Sequence, residues 1–413
     1  MELVVEPGAG RVDTVPRLVV RGVRGPVMLE VVTTDAAGHR WRSSGAYPVG
    51  TDGALLLDDP EHPWWDMAFA DTGAAPVAFT APDTELRYQV AVSAEGAEAR
   101  TDVVRSWGSG RPAEDVRGEG FALRVYRPAE ESDAAPGVVV VPGSTGVSAM
   151  APTAALLAAH GYVAAVLGYM QEPGLPSAFR RVPVEVIAAG MRAFAALPGV
   201  DSGRVGVVAV SVGTVAALVA LSGDGAPPVG AVVVVAPTHV VWQALAEGGP
   251  PPEEPMLTRD GQDLPYVPIR GEKLLGQIVR TRFASLFSRG RRSAALSLLA
   301  AYQGGLAAHD AVTAAAIPAE RIDAPILAVA GEADAMWPSA AMAQALLDRR
   351  RQQGAGDRLL LLPDAGHFLR PPVTPTTVDR NESLISGGTP EGTARGQRAA
   401  WDAVLGFLAD TVQ

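Results

Sequence analysis

The stretch that decides the fold is residues 204–218, RVGVVAVSVGTVAAL. It begins with a continuous apolar run, residues 205–210, of the kind that forms a strand buried on both faces. The run breaks at Ser211 and Gly213 and continues as small, helix-compatible residues. A strand, a sharp turn with serine at its apex and a helix are the layout of a nucleophile elbow, although Ala209 stands where the motif usually has glycine. The free N–H groups at the start of the helix predict a place for an oxyanion.

Strand-like runs alternate with helical stretches from Phe121 to the end of the chain. This alternation predicts a doubly wound, mostly parallel sheet covered by helices, as in an α/β-hydrolase, with the site at the carboxyl ends of the strands. We assign this domain to residues 113–413, with a proline-rich and helical insertion at about 240–315. The predicted strands are residues 121–126, 138–141, 163–167, 205–210, 231–235, 326–330 and 359–362.

The first 112 residues have a different pattern. Short alternating runs, separated by turn residues, predict a small all-β, immunoglobulin-like sandwich. A Gly/Pro-rich linker at residues 107–112 marks the boundary with the second domain.

The length, net charge and cysteine content of the chain exclude several classes of function. A chain of 413 residues suggests two domains, and a net charge of −11 argues against a nucleic-acid partner. The chain has no cysteine, which excludes a thiolate nucleophile and a cysteine-bound zinc site. Neither a basic, apolar leader at residue 1 nor an apolar run near 18 residues is found, so we expect a cytoplasmic enzyme that does not enter membranes. No metal or redox cofactor is implied, and the oligomeric state stays open.

A serine nucleophile needs a base, and the chain offers six histidines. His367 follows the last predicted strand in a short loop, where this architecture presents its base, so we assign it to Ser211. His239 follows another strand and is the main alternative. His160 ends a predicted helix and His309 lies in the insertion, where structural roles are more common.

The base in turn needs a carboxylate that fixes its tautomer. Asp334 follows the strand at 326–330, and the chain order Ser211, Asp334, His367 is that of α/β-hydrolases. Glu332 is an alternative acid. Asp364 lies too close to His367 in sequence to be assigned as this carboxylate, and it is expected to stabilise a turn.

An oxyanion hole requires two N–H donors. One is expected to be the amide of Val212, directly after the nucleophile. The second should come from the loop after the strand at 138–141, in which we assign the amide of Ser144, with that of Gly143 as the alternative.

The insertion is basic in an acidic protein. Between residues 256 and 300 there are eight basic and three acidic residues. The simplest interpretation is solvated helix faces. The alternative is a docking surface for coenzyme A phosphates or an acidic carrier protein, with contacts from Arg289, Arg291 and Arg292.

The chain resembles the acyl-CoA thioesterase / bile acid-CoA:amino acid N-acyltransferase family. The resemblance is carried by PGVVVVPGSTG at 136–146, HGYV at 160–163, GEADAMWPS at 331–339, AGHFLRPP at 365–372, GGTP at 387–390 and AW at 400–401. It implies a β-sandwich before a hydrolase domain, with a Ser/Cys–Asp–His triad that acts on acyl thioesters. Members that transfer acyl groups to amino acids tend to carry cysteine, so Ser211 favours hydrolysis. Ala209 departs from the family pattern, as does Val212, where many relatives carry lysine.

The sequence therefore predicts a serine hydrolase that cleaves an acyl thioester, borne by coenzyme A or an acyl carrier protein, through an acyl-enzyme on Ser211. Three alternatives remain at this point. They are an acyltransferase or cyclase with the same triad, a carboxylesterase or lactone hydrolase, and a non-catalytic binding protein.

Overall fold

A computed structural model describes residues 1–71, 75–130, 132–245, 252–279, 295–351, 356–381 and 383–413. Its largest element is an eight-stranded sheet. In spatial order the strands are Arg358–Leu362, Ile326–Gly331, Ala231–Val235, Gly199–Val210, Ala134–Val141, Val163–Gly168, Phe121–Tyr126 and Glu114–Gly118. The first six strands are parallel, and the last two each pair antiparallel with their neighbour. This is the α/β-hydrolase architecture that the sequence predicts.

The strand Glu114–Gly118 is the element of this sheet that the sequence analysis missed. Its sequence, EDVRG, has a single apolar side chain, because the strand lies at the sheet edge and is mostly exposed. Edge strands carry charged residues that prevent further pairing, and therefore lack an apolar signature.

Helices cover both faces of the sheet. Alternate residues of each central strand point to opposite faces, so the strands are apolar throughout: Val139 and Val141 belong to one core, Val138 and Val140 to the other. The first core is covered by Val184–Ala195, Gly213–Leu221 and Ser339–Arg350. The second is covered by Gly146–Ala159 and Pro390–Val412. No helix of the described residues is long and apolar enough to cross a bilayer.

We call residues 1–106 the first unit. Its described residues, 1–71 and 75–106, form β-strands and loops and one short helix, His62–Trp65. The strands Glu2–Glu6 and Arg17–Arg21 form a separate two-stranded antiparallel sheet. Its six-stranded sheet has the order Ala9–Arg11, Ala97–Ser106, Glu85–Ala94, Val27–Thr34, Arg40–Tyr47, Ala68–Phe69. The interior of the first unit continues into the second core of the hydrolase sheet, so the two parts share one hydrophobic cluster.

The segment between the strands Ala231–Val235 and Ile326–Gly331 is only partly helical. Among its described residues, 275–279, Leu299–Leu306 and His309–Ala314 are helical, and 3₁₀ turns lie at Gly271–Leu274 and Ala319–Arg321. Before them the chain forms a hairpin of Leu257–Arg259 and Gln262–Asp263, which pairs in turn with Val182–Pro183. The sequence analysis did not identify this hairpin, in which Asp260 and Gly261 both have positive φ, the geometry of a tight hairpin turn.

Candidate active site

Ser211 lies at the turn between the strand Gly199–Val210 and the helix Gly213–Leu221. Its φ of 55° is left-handed, a strained conformation for a residue with a side chain. The Ser211 N–H donates to the carbonyl of Val235 at 2.9 Å, and its own carbonyl accepts from the Thr214 N–H at 2.9 Å. The elbow is therefore fixed on both sides, and the hydroxyl lies at the carboxyl edge of the sheet.

Gly213 permits this turn to pack against the neighbouring loop. A Cβ at this position would lie 2.5 Å from the carbonyl oxygens of Val141 and Pro142. Those oxygens belong to rigid backbone, so no larger residue fits.

A continuous chain of hydrogen bonds leads from Ser211 to a buried carboxylate. The Oγ of Ser211 lies 2.8 Å from Nε2 of His367, and Nδ1 of His367 lies 2.7 Å from Oδ2 of Asp334. His367 is 4 % exposed and Asp334 is 5 % exposed. The structure thus brings together the three side chains that the sequence analysis assigned to one site.

The orientation of Asp334 is set by its own loop. Its Oδ1 accepts the backbone N–H groups of Met336 at 2.8 Å and Trp337 at 3.2 Å. This leaves Oδ2 for His367, so each carboxylate oxygen has a distinct partner. The two N–H donors therefore fix the carboxylate in the orientation that holds the imidazole of His367.

The segment 384–388, which we call the clasp, joins the acid loop to the histidine loop. The carbonyl of Ser386 accepts from both the His367 N–H and the Ala335 N–H, each at 3.0 Å. The Oγ of Ser386 accepts the N–H of Phe368 at 3.1 Å. Ser386 is 2 % exposed, and no signal in the sequence singled it out.

The next residue of the clasp, Gly387, has no room for a side chain. Its φ is 81°, and a Cβ would lie 2.1 Å from the carbonyl oxygen of Ala333. The family motif GGTP quoted above contains this glycine and is the one sequence feature that pointed to the clasp.

The loop after the strand Ala134–Val141 lies against the nucleophile. A Cβ on Gly143 would be 3.2 Å from the Cβ of Ser211 and 3.7 Å from its Oγ. Ser144 is the next residue and is exposed. The Val212 N–H makes no hydrogen bond to any described residue. The three amides that the sequence analysis assigned to an oxyanion hole therefore belong to two loops that meet beside Ser211.

Two side chains that the sequence analysis did not identify brace this loop. The buried hydroxyl of Tyr169 donates to the carbonyl of Pro142 at 2.6 Å, and Nε2 of Gln171 donates to the carbonyl of Ser144 at 3.1 Å. Burial raises the pKa of Tyr169, so its hydroxyl stays a proton donor. Both residues follow the strand Val163–Gly168, and their contacts depend on the three-dimensional arrangement of the loops.

Aromatic rings extend from His367 into the insertion. The centroid of Trp337 lies 5.6 Å from that of His367, and Tyr302 lies 5.4 Å from Trp337 and 4.7 Å from Trp242, all edge to face. Burial, together with the nearby charge of Asp334, raises the pKa of Tyr302. The imidazole is thus held in apolar surroundings on this side.

The alternative bases and acids lie outside this hydrogen-bond chain. His160 pairs with Asp13 at 2.5 Å. Burial lowers the pKa of His239, whose Nδ1 makes no hydrogen bond within the described part of the chain. His309 begins a helix. Glu332 is exposed.

The basic residues Arg289, Arg291 and Arg292 lie outside the described residues, and their assignment stays a prediction. Within the described ranges, no group of three or more His, Cys, Asp or Glu residues is arranged to hold a metal ion.

Comparisons with known proteins match the carboxy-terminal part of the chain. Residues 293–413 match the family described as "BAAT / Acyl-CoA thioester hydrolase C terminal". The matched range contains Asp334 and His367. It does not contain Ser211, which lies before its first residue. It confirms the family resemblance over this part of the chain.

Two curated relatives agree with this family. The chain is 34 % identical over 98 residues to the mouse peroxisomal succinyl-coenzyme A thioesterase, and 32 % identical over 98 residues to the rat acyl-coenzyme A amino acid N-acyltransferase 2. Each match covers 22 % of this chain and 23 % of the relative, so it spans about a quarter of either protein.

Among solved structures, a dienelactone hydrolase-like promiscuous phosphotriesterase, P91, from metagenomic libraries is similar at a TM-score of 0.44 and 16 % identity. This match covers 73 % of this chain and 98 % of that one.

Proposed function

We propose that the protein hydrolyses acyl thioesters through an acyl-enzyme on Ser211. The observation that carries this proposal is the hydrogen-bond chain from Ser211 through His367 to buried Asp334. A serine hydroxyl within 2.8 Å of an imidazole nitrogen has a base in position to take its proton.

In the first half-reaction, Nε2 of His367 accepts the Ser211 proton while Oγ attacks the thioester carbonyl. The oxyanion is stabilised by the Val212 amide and by a second amide, from Ser144 or Gly143. Each such donor contributes on the order of 3 kcal/mol to the transition state. The carbon–sulfur bond then breaks, and His367 returns its proton to the departing thiolate.

In the second half-reaction, His367 deprotonates a water molecule that attacks the acyl-serine. The carbon–oxygen bond to Ser211 breaks, the acid leaves, and the hydroxyl regains its proton. Throughout, Asp334 holds Nδ1 of His367 as the protonated nitrogen and stabilises the imidazolium as it forms.

A thioester as the substrate is supported by the family match at residues 293–413. Coenzyme A or an acyl carrier protein as the thiol partner, and a cytoplasmic location, stay predictions. The resemblance to an N-acyltransferase favours a second candidate, in which an amino acid rather than water intercepts the acyl-enzyme.

The test is thiol release from a panel of acyl-CoA thioesters of varied chain length, followed with a thiol-reactive chromophore. The protein contains no cysteine, so the reagent reports only the released thiol. Matched oxygen esters form the second arm, and glycine added as an amino-acid acceptor forms the third.

We expect thioesters to be cleaved to free acids, with activity lost in Ser211→Ala. Cleavage of oxygen esters without thioesters would contradict the proposed substrate class. An N-acyl product that forms faster than the free acid would establish the acyltransferase instead.

A further inference from the structure

The chain that follows His367, residues 368–381, is unusual for a loop. This post-histidine segment has no helix and no strand beyond one isolated bridge, yet residues 371–376 are all buried. Loops normally lie on the surface, because their backbone polar groups otherwise need partners within the protein. The segment must therefore obtain its partners from other elements.

Some of those partners, such as Pro390 and Gln397, belong to the hydrolase domain, and others belong to the first unit. The Thr376 N–H donates to the carbonyl of Trp65 at 3.1 Å, and the Ala78 N–H donates to the carbonyl of Arg380 at 2.6 Å. Three side-chain bonds add to these: Arg370 to the Phe79 carbonyl, Thr377 to the Met67 carbonyl and Tyr88 to the Val373 carbonyl. Five hydrogen bonds thus fix the segment along its length.

The contact at Tyr88 holds a strained residue. Val373 has φ of 64°, a left-handed conformation that is a genuine outlier for a β-branched side chain. Such conformations persist only where the surroundings impose them. The Tyr88 hydroxyl, from the core of the first unit, lies 3.3 Å from the Val373 carbonyl and provides one such constraint.

The segment is in turn connected to the base of the site. The carbonyl of Asp379 accepts the N–H of Ser386 at 2.6 Å, and the carbonyl of Ser386 accepts the N–H of His367 at 3.0 Å. At its other end the segment begins directly at Phe368, and the guanidinium of Arg370 lies 5.3 Å from the centre of that ring. Both ends of the fixed segment therefore lead to His367.

We propose that the first unit acts as a positioning domain for His367, through the post-histidine segment and the clasp. The proposal rests on the proposed function in that His367 is the base. It gives the first unit a role in the rate of the chemical step, beyond stability and beyond any contact with substrate.

The experiment compares two arginines that both join the first unit to the hydrolase domain. Arg370→Met removes the bond to Phe79 on the post-histidine segment. Arg398→Met removes bonds to Glu61 at 2.6 Å and to the Asp13 carbonyl at 2.9 Å, on the helix Pro390–Val412, and is the matched control. Tyr88→Phe keeps the buried ring and removes only the hydroxyl.

Three quantities are measured on the full-length variants: kcat and KM for thioester cleavage, melting temperature, and the downfield proton NMR signal of His367 Nδ1–H bonded to Asp334. Because a misplacement of about 1 Å costs up to about 100-fold in rate, we expect Arg370→Met to lower kcat about tenfold. KM should stay within about twofold of the wild-type value, because the lost interaction would act only in the transition state. Tyr88→Phe should act in the same direction, and Arg370→Lys, which keeps a donor, should recover part of kcat.

The proposal predicts that Arg370→Met and Tyr88→Phe shift or broaden the His367 signal, while Arg398→Met lowers only the melting temperature. An equal loss of kcat in Arg398→Met would overturn it, because general destabilisation would then account for the effect. An unchanged kcat and an unchanged signal in both segment variants would also overturn it. If the wild type cleaves no thioester, the proposed function fails, and the NMR comparison still decides whether the first unit positions His367.

Discussion

The substitution Asp334→Asn follows most directly from the geometry of the site. Oδ1 of Asp334 accepts two backbone N–H groups, at 2.8 and 3.2 Å, so in the variant the amide oxygen must occupy that place. The amide NH₂ is then directed at Nδ1 of His367, where Oδ2 now lies at 2.7 Å. Nδ1 must become an acceptor, which moves the proton to Nε2, the nitrogen that faces Ser211.

An imidazole protonated at Nε2 cannot accept the serine proton. Loss of the correct tautomer with the geometry intact costs on the order of 10⁴-fold in kcat in a serine protease triad, which corresponds to about 5 kcal/mol. We expect a loss of this size in steady-state thioester hydrolysis, with a melting temperature close to that of the wild type. Glu332→Gln, an exposed carboxylate in the same loop, is the control and should retain activity. A variant Asp334→Asn within tenfold of the wild type would refute the assigned role.

Three further predictions concern the surrounding structure. Tyr169→Phe removes the 2.6 Å bond to the Pro142 carbonyl and should lower kcat about tenfold, less than the ~10²–10³ of losing an oxyanion donor. Gly213→Ala places a Cβ 2.5 Å from backbone oxygens and should lower the free energy of unfolding by about 3 kcal/mol. Gly406→Ala is the contrasting variant. Its Cβ would have no atom within 4 Å, so the better helix propensity of alanine should raise the free energy of unfolding by about 1 kcal/mol. Burial of Asp13 opposes its ionisation, but hydrogen bonds from a histidine and a tryptophan outweigh burial and lower its pKa from 3.8 to about 2. Its stabilising effect is present above pH 3.8 and lost as the pH falls toward 2, so Asp13→Asn should remove about 2 kcal/mol of pH dependence in that window.

Each of these has a direct measurement. Steady-state kinetics test Tyr169→Phe, and a kcat equal to that of the wild type would show that the hydroxyl does not support the loop. Urea denaturation tests the two glycine variants, and equal effects would contradict the steric argument. Urea denaturation between pH 2 and 5 tests Asp13→Asn, for which a pH dependence like that of the wild type would be the contrary result.

The sequence predicted those features that depend on residue type and on position relative to a strand. Ser211, Asp334 and His367 each follow a strand of the parallel sheet, and parallel strands bring their carboxyl ends to one edge. Buried strands are apolar throughout, so most were located within a few residues. The exposed edge strand Glu114–Gly118 lacked that signal.

The supporting contacts could not be predicted in this way. The clasp acts through the backbone carbonyl of Ser386, which any residue possesses, and the brace of Tyr169 depends on where two loops meet in space. The role of the first unit depends on contacts between residues nearly 300 positions apart, such as Tyr88 and Val373. Local pattern carries no information on contacts of this kind.

Covalent catalysis at Ser211 is tested by time-resolved intact mass spectrometry after rapid mixing with an acyl thioester. We expect a transient gain of one acyl group on the wild-type protein, followed by its loss, and no gain in Ser211→Ala. Because the chain contains no cysteine, the adduct cannot arise from acylation of a thiol. Turnover of the thioester in Ser211→Ala at the wild-type rate, or an adduct of the same mass and lifetime in that variant, would contradict the account.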